Sequence, residues 1–432
     1  MNLEELYRIF PEKPVIVTDT RKIKNGGIFF ALKGDNFNGN SFADSAIQKG
    51  CSWAVVDDKT LVSNDRFIYV DDCLRTLQDL ANFHRMRFNI PVFALTGTNG
   101  KTTTKELISS VLSEKYCITA TKGNLNNHIG VPLSLLEINE SSRIAVIEMG
   151  ANHPGEIAQL CRIARPAIGM ITNIGKAHLE GFGSFEGVIK AKSELYNYLS
   201  ETKGTIFINS DDPILNSLKL PDKIIKYGVS EDNDYSGRLI SSSPVVQFCW
   251  KTKNDPCKNY TTVKSGLPGS YNFYNLLAAV SVGDYFGVSQ DMIKHAIENY
   301  TPVNLRSQLV KTDKNTILID AYNANPSSME VALYDFLEVE ADNKIVILGD
   351  MLELGSYSSG EHNKIIEFLT RNNIEAFLIG KNFRKAALSG NYSSFNDIDE
   401  FIEWLTIHSI ISCYILLKGS RGMKLEKAMD YL

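Results

Sequence analysis

The sequence predicts an α/β protein of three domains, and three observations carry that prediction. Its 432 residues exceed what one ordinary domain of about 100–200 residues uses. Between residues 91 and 212, short apolar runs close on glycine or polar residues and alternate with helix-length segments, the pattern of a parallel sheet. Beyond residue 305 a second series of such runs begins. The expected domains are 1–86, 87–303 and 304–432.

Within 1–86, FALKGDNFNGN (30–40) is rich in turn residues and ADSAIQKGCSWAVVDD reads as a helix followed by a strand. From Pro91 the pattern changes. VFALTG is a short β-prone run ending in Thr-Gly, and TTTKELISSVLSEKY has helical periodicity, so a strand, a glycine turn and a helix follow one another. IAVIEMG (144–150), AIGMITNIG (167–175) and GTIFINSDD (204–212) repeat the apolar-run theme. In the last third, NTILIDAYNANP, NKIVILGDMLELG, EAFLIGKN and CYILLKGSRG each hand a strand over to a polar cluster. Ligands of doubly wound sheets bind outside the carboxyl ends of the strands, so these clusters are expected to converge on one crevice.

Hydrophobic residues at 44% and charged residues at 22% fit a soluble globular chain and exclude extended disorder. A net charge of −5 with interspersed signs gives no basic stripe, which excludes a nucleic-acid partner as an expectation. The start, MNLEELYRIFPEKP, lacks the pattern of a signal peptide, and no apolar run reaches the roughly 18–20 residues of a membrane span, so a cytoplasmic protein is expected. Seven cysteines (51, 73, 117, 161, 249, 257 and 413) are odd in number and scattered without a CxxC pair. They read mostly as buried thiols rather than a disulfide or zinc framework.

The most informative stretch is Thr96-Gly97-Thr98-Asn99-Gly100-Lys101-Thr102-Thr103, between the predicted strand and helix. Glycines let backbone N–H groups wrap a phosphate chain, the helix N-terminus adds positive potential, Lys101 reaches the terminal phosphates, and the Thr102 hydroxyl suits Mg²⁺. The loop is therefore expected to bind ATP. The strict GxxxxGK[ST] pattern would need glycine at 95, where this chain has Leu95.

In that variant form GTNGKTT resembles the ATP loop of the Mur ligase family. The resemblance continues in order through GNLNNHIGVPLSLL (123–136), EMGANHPGEI (148–157), NIGKAHLEGFGS (173–184), AKSELY (191–196), DAYNANPSSM (320–329), LGDMLELG (348–355) and LLKGSRGMKLE (416–426). The last three are most similar to the family member that joins D-alanyl-D-alanine to UDP-N-acetylmuramoyl-tripeptide. The resemblance implies a small N-terminal α/β domain for the UDP-sugar, a central parallel-sheet P-loop ATPase domain and a C-terminal Rossmann-like domain that closes over the site. It implies ATP and Mg²⁺ as cofactors, the tripeptide and the dipeptide as partners, and an acyl phosphate on the way to the pentapeptide precursor, ADP and phosphate. A monomer is expected. DAYNANPSSM and LGDMLELG argue against a relative that adds one amino acid or glutamate, and the retained Lys101, Glu148, His178 and Lys192 argue against a non-catalytic nucleotide-binding module.

Particular residues follow from the same comparison. Glu148 ends its strand beside the phosphate loop, where phosphoryl transfer between anions needs a metal ligand; the family places one there. The resemblance assigns His178 to a second Mg²⁺, although a lone histidine is more often structural and imidazole is not magnesium's preferred donor. It matches Lys192 to a lysine that becomes carbamylated and binds metal; without it, a solvated helix lysine would be the reading. Asn124, Asn126 and Asn127 are either turn builders or a substrate-facing loop. At 269–275 the chain reads GSYNFYN, with Tyr271 where the family usually has histidine; Asn272 and Asn275 are retained, Asn272 as an adenine-side contact. Asp320 and Tyr322 are expected at the nucleotide, Asn323 and Asn325 at the dipeptide entrance, and Arg306 near the phosphates. Lys418, Ser420 and Arg421 look like an anion nest. Thr20, Arg21 and FALKGDNFNGN resemble the uridine site, with Asn38 and Asn40 departing from the family's usual acidic residue and histidine there.

Overall fold

The computed structural model describes residues 3–9, 15–34, 36–61, 65–253, 259–302, 304–388 and 392–432. Cys257, Asp35 of the turn-rich stretch, and the expected boundary residue 303 lie outside them. Three main sheets are present. Their separation matches the expected domain count.

The N-terminal sheet is parallel and runs Ile16–Val17, Ile28–Phe30, Trp53–Val56, Phe67–Tyr69 across its width. The helix-then-strand reading at 43–58 is realised as Ala43–Gln48 and Trp53–Val56. From this sheet the helix Cys73–Met86 packs onto the helices Gly130–Leu135 and Glu156–Ala164 of the central region. Its apolar residues join one continuous core with both.

The central sheet has nine strands. The four runs read from the sequence are its adjacent middle strands, in the order Ile144–Glu148, Val92–Thr96, Ile168–Ile171, Thr205–Asn209, all parallel. Val92–Thr96 and Ile144–Glu148 are buried throughout, as strands covered on both faces must be. Ile118–Ala120 at one edge, and Lys223–Gly228 and Tyr235–Ser241 towards the other, extend the parallel set. Gln247–Thr252 and Thr261–Lys264, which lie beyond the runs read from the sequence, then finish the sheet antiparallel. An antiparallel edge needs only a hairpin, whereas a further parallel strand would need another crossover helix.

The C-terminal sheet repeats the arrangement. Its middle strands Thr316–Asp320, Tyr414–Lys418, Lys344–Gly349 and Glu375–Ile379 are the four predicted ones, parallel and adjacent. Gln308–Lys311 adds an antiparallel edge and Ser393–Phe395 a short parallel one. Both faces carry their own apolar clusters, formed by residues from 305 onward.

The thiol expectation holds in part. Cys51, Cys73 and Cys161 are buried, Cys249 and Cys413 are half-buried, and Cys117 is exposed; all six are free. Burial raises the Cys73 thiol to about 12, which keeps it protonated and inert. Among the described residues no helix is long and apolar enough to cross a membrane.

Candidate active site

The strand Val92–Thr96 ends at the loop and the helix Lys101–Ser113 begins immediately after it, with Gly100 (φ 75°) as its N-cap. Two glycines are required here. A Cβ at Gly97 would lie 2.0 Å from the Thr172 hydroxyl oxygen, and one at Gly100 would lie 2.6 Å from Asn275 Oδ1. Leu95, where a strict phosphate-loop pattern asks for glycine, is a wholly buried strand residue in the central core. The position has a packing role, and the loop turns after it.

The end of the neighbouring strand braces the loop. Asn99 N–H donates to Asn173 Oδ1 (2.9 Å), Asn173 Nδ2 and the Thr172 hydroxyl donate back to Asn99 O (3.0 and 2.6 Å), and Gly175 N–H donates to Thr98 Oγ1 (2.9 Å). Asn173 and Thr172 were not singled out in the sequence; their place directly after a buried strand in the middle of the sheet is the signal that finds them. Lys101 Nζ folds back to donate to Gly97 O (2.9 Å) and Thr98 O (3.0 Å). Burial brings its amine down to about 8, with Glu148 opposing the shift.

Glu148 meets the loop as expected. Its Oε1 accepts from the Thr102 hydroxyl (3.2 Å) and from Asn126 Nδ2 (2.7 Å), while its Oε2 is buried without a partner. A buried carboxylate oxygen left unpaired is costly, and a bound cation would satisfy it. Among the described residues no three His, Cys, Asp or Glu side chains cluster as a metal cage. Mg²⁺ needs no such cage, since it takes one or two carboxylates and completes its shell with water and phosphate oxygens.

Lys192 is 2% exposed; its Nζ donates to Ala151 O at 3.5 Å and lies 5.4 Å from the Phe182 ring centroid. Burial first, and Lys101 second, lower its amine to about 7. The solvated-lysine reading is thereby corrected, since the helix Phe185–Glu201 turns this residue inward.

The asparagines divide. Asn126 reaches Glu148, whereas the side chain of Asn127 accepts from the N–H groups of Ile129 and Gly130 and so builds a turn. Asn124 is exposed at the cavity. Asn272 is 1% exposed; it donates to Pro268 O (2.7 Å) and accepts from Asn275 Nδ2 (2.9 Å), and Asn275 accepts from the Thr104 hydroxyl (3.0 Å). Both brace the helix behind the loop from the cavity wall. Tyr271 bonds the Ser307 hydroxyl at 2.8 Å, tying the wall to the segment that leads into the C-terminal sheet.

From the C-terminal sheet, Asp320 and Lys418 face each other in register and form an ion pair. Two guanidinium groups lie over the Tyr322 ring, Arg306 at 3.7 Å and Arg421 at 5.0 Å from its centroid. Arg306 Nε is buried without a partner. Asn325 caps the helix Pro326–Leu337 through Ser328 and also donates to Asn99 Oδ1 of the phosphate loop (2.8 Å). Asn323 accepts from the next N–H, at Ala324 (3.0 Å). Ser420 is buried and spends its hydroxyl on Leu352 N–H (3.0 Å) and Ala324 O (3.4 Å), so it joins two loops.

One cavity of about 1000 Å³ gathers most of these groups. It is lined by loop residues Thr98, Asn99, Gly100, Lys101, Thr102 and Thr103, with Glu148 and His178 beside them. The three asparagines 124, 126 and 127 and the pair Asn272 and Asn275 form further walls, and Arg306, Asp320, Tyr322, Asn323, Asn325 and Lys418 come from across the cavity. Gly97, Lys192, Ser420 and Arg421 are not among the residues that line it. Thr20 and Arg21 are not brought to it: the exposed Arg21 is held by Asp19, and Thr20 O accepts from Lys49 Nζ at 3.4 Å. Asn38 accepts from Asn40, whose side chain also spans to Asp57 (2.6 Å), so both stabilise the N-terminal turn.

Three family models match the chain: the Mur ligase family catalytic domain over residues 15–85, the Mur ligase middle domain over 95–283 and the Mur ligase glutamate ligase domain over 305–421. A UDP-N-acetylmuramoyl-tripeptide–D-alanyl-D-alanine ligase of Bacillus subtilis is 36% identical over 96% of this chain and 92% of its own. The chain belongs to the Mur ligase family. An Escherichia coli protein of the same name is 34% identical over 96% and 93% of the two chains. Among solved structures, MurF of Acinetobacter baumannii superposes with a TM-score of 0.84 at 31% identity, covering 96% of this chain and 92% of that one. MurF of Thermotoga maritima in complex with ADP does so with 0.84 at 26% identity, covering 97% of each. The three-sheet architecture of this Mur ligase is thus that of its relatives over nearly the whole length.

Proposed function

We propose that the protein joins D-alanyl-D-alanine to the terminal carboxylate of UDP-N-acetylmuramoyl-tripeptide at the expense of ATP. The observation that carries the reading is the cavity itself: a phosphate loop on one side and cationic and aromatic groups of a separate domain on the other. The names of relatives alike over more than nine-tenths of their length supply the substrates.

In this reading the loop and the Lys101 amine grip the triphosphate, and Arg306 answers negative charge from across the cavity. Thr102 and Glu148 would hold Mg²⁺, which when bound neutralises phosphate oxygens. The substrate carboxylate attacks the γ-phosphorus and ADP leaves. The dipeptide amine then adds to the acyl-phosphate carbonyl, the tetrahedral intermediate expels phosphate, and the nitrogen gives up a proton to leave the amide. The Asn124–Asn127 loop and Asn323 are assigned to the substrates, Tyr322 to the nucleotide. Lys192, whose amine titrates near 7, is assigned to carbamate formation, a reaction of the neutral amine with CO₂. Thr20 and Arg21 are assigned to the UDP end. Every group invoked comes from one chain, so a monomer suffices, and the cytoplasm, where nucleotide-linked precursors are made, is its place of action.

Phosphate release, measured with magnesium, ATP, the UDP-linked tripeptide and the dipeptide, is expected only when all are present. Lys192→Ala is expected to lower it by at least about 100-fold. Equal release with single amino acids, or ATP binding without substrate-dependent turnover, would overturn the reading.

A further inference from the structure

His178 and Glu353 come from different domains and meet in the cavity wall. His178 follows a central strand and heads the short helix Leu179–Phe182; Glu353 lies in the loop after the C-terminal strand Lys344–Gly349. Glu353 Oε2 lies 2.5 Å from His178 Nδ1. Both residues have left-handed backbones, φ 51° at His178 and φ 61° at Glu353. Two non-glycine residues held in a disfavoured conformation on either side of one contact point to a built feature. The surroundings support it: a Cβ at Gly355 would touch the Glu180 side chain at 3.3 Å, and Asp350 anchors the loop's start by accepting from the N–H groups of Asn382 (2.9 Å) and Phe383 (2.8 Å).

The chemistry of the pair is directional. A carboxylate is ionised at neutral pH and can only accept, so the proton in this contact belongs to His178 Nδ1. In the neutral ring Nδ1 then carries the proton and Nε2 keeps the lone pair. A carboxylate behind an imidazole in this way fixes tautomer and ring orientation at many catalytic and metal-binding histidines.

We infer that Glu353 is a positioning residue for the reaction: it orients His178 so that Nε2 is available to the cavity only when the C-terminal domain is seated on the central one. The inference rests on the ligase reading, and it makes the site complete only in the closed arrangement. The Glu353 side chain is 58% exposed, so its replacement does not disturb a core.

The test compares the full-length protein with Glu353→Ala, Glu353→Gln, Glu353→Asp, His178→Ala and the double variant Glu353→Ala/His178→Ala. Two readouts are taken: steady-state kinetics, and two-bond ¹H–¹⁵N spectra of histidine-labelled protein, with the His178 signal identified by its loss in His178→Ala. In the parent protein His178 is expected to show a protonated Nδ1 and an unprotonated Nε2. Glu353→Ala is expected to lose that pattern and to lower kcat about 10-fold to 100-fold with KM for ATP within about twofold. Glu353→Asp should recover part of the loss, and the double variant should be no worse than His178→Ala. An unchanged ring pattern and kcat in Glu353→Ala, or losses that simply multiply in the double variant, overturn the inference. A parent protein without dipeptide-dependent phosphate release would instead defeat the ligase reading, and the ring spectra would still report on the contact.

Discussion

The two junctions of this molecule are built from different materials. Between the N-terminal and central sheets, the helix Cys73–Met86 buries Leu77, Leu80 and Ala81 in a core common to both. Between the central and C-terminal sheets the apolar clusters stay separate, and the contacts are polar: Asn325 with Asn99, Ser327 with Lys176, Asp335 with Ser270, Glu353 with His178. Apolar burial is lost outright when surfaces part, whereas a hydrogen bond is largely repaid by water. The first junction therefore holds its domains as one body. The second is expected to open and close at small cost, as suits an enzyme that admits large substrates and then excludes water from an acyl phosphate.

The largest break in that comparison comes from the apolar side. Leu80→Ala removes a wholly buried side chain and is expected to cost about 2–5 kcal/mol. Denaturant titration should show it, with the N-terminal and central sheets unfolding together; separate transitions would mean the shared core does not unite them. A smaller effect concerns the buried amine inside the central body. Lys192 titrates near 7 in the fold against an ordinary lysine value of about 10.4, so between those values the unfolded chain binds the extra proton. Stability should therefore rise with pH across that window, by up to about 1.4 kcal/mol per pH unit from this group, and be depressed most fully below it. Lys192→Met should flatten that part of the stability–pH profile, and an unchanged slope would show that the amine is not buried in the neutral form. The smallest stability effect belongs to the polar junction. Asn325→Ala removes a helix cap and the bond to Asn99, costing about 1 kcal/mol while enlarging the radius of gyration in solution scattering. If it cost as much as Leu80→Ala, the distinction between the junctions would fail.

The phosphate loop was legible because its requirements are local: a buried strand, glycines at 97 and 100, and a helix opening on Lys101 lie within a dozen residues. The middle strands of both large sheets were legible for a similar reason, since each is a continuous apolar run. Gln308–Lys311 and Thr261–Lys264 were not, because short, partly exposed edge strands carry little apolar signal. Asn127, Asn272 and Ser420 show the other limit. Asn127 and Ser420 were read correctly as lying on a loop and just after a strand, and Asn272 opens a helix, but whether an amide or hydroxyl faces a ligand or braces a neighbour depends on atoms far away in the chain.

By itself, then, the sequence determined the α/β layering, the nucleotide loop and the family resemblance, all consequences of short-range pattern. Only the tertiary structure decided that Glu148 keeps an unpaired oxygen beside Thr102, that Lys192 is buried, and that Glu353 reaches His178 from another domain. Charge state and partnership are set by burial and by groups distant in sequence, and no local pattern encodes those.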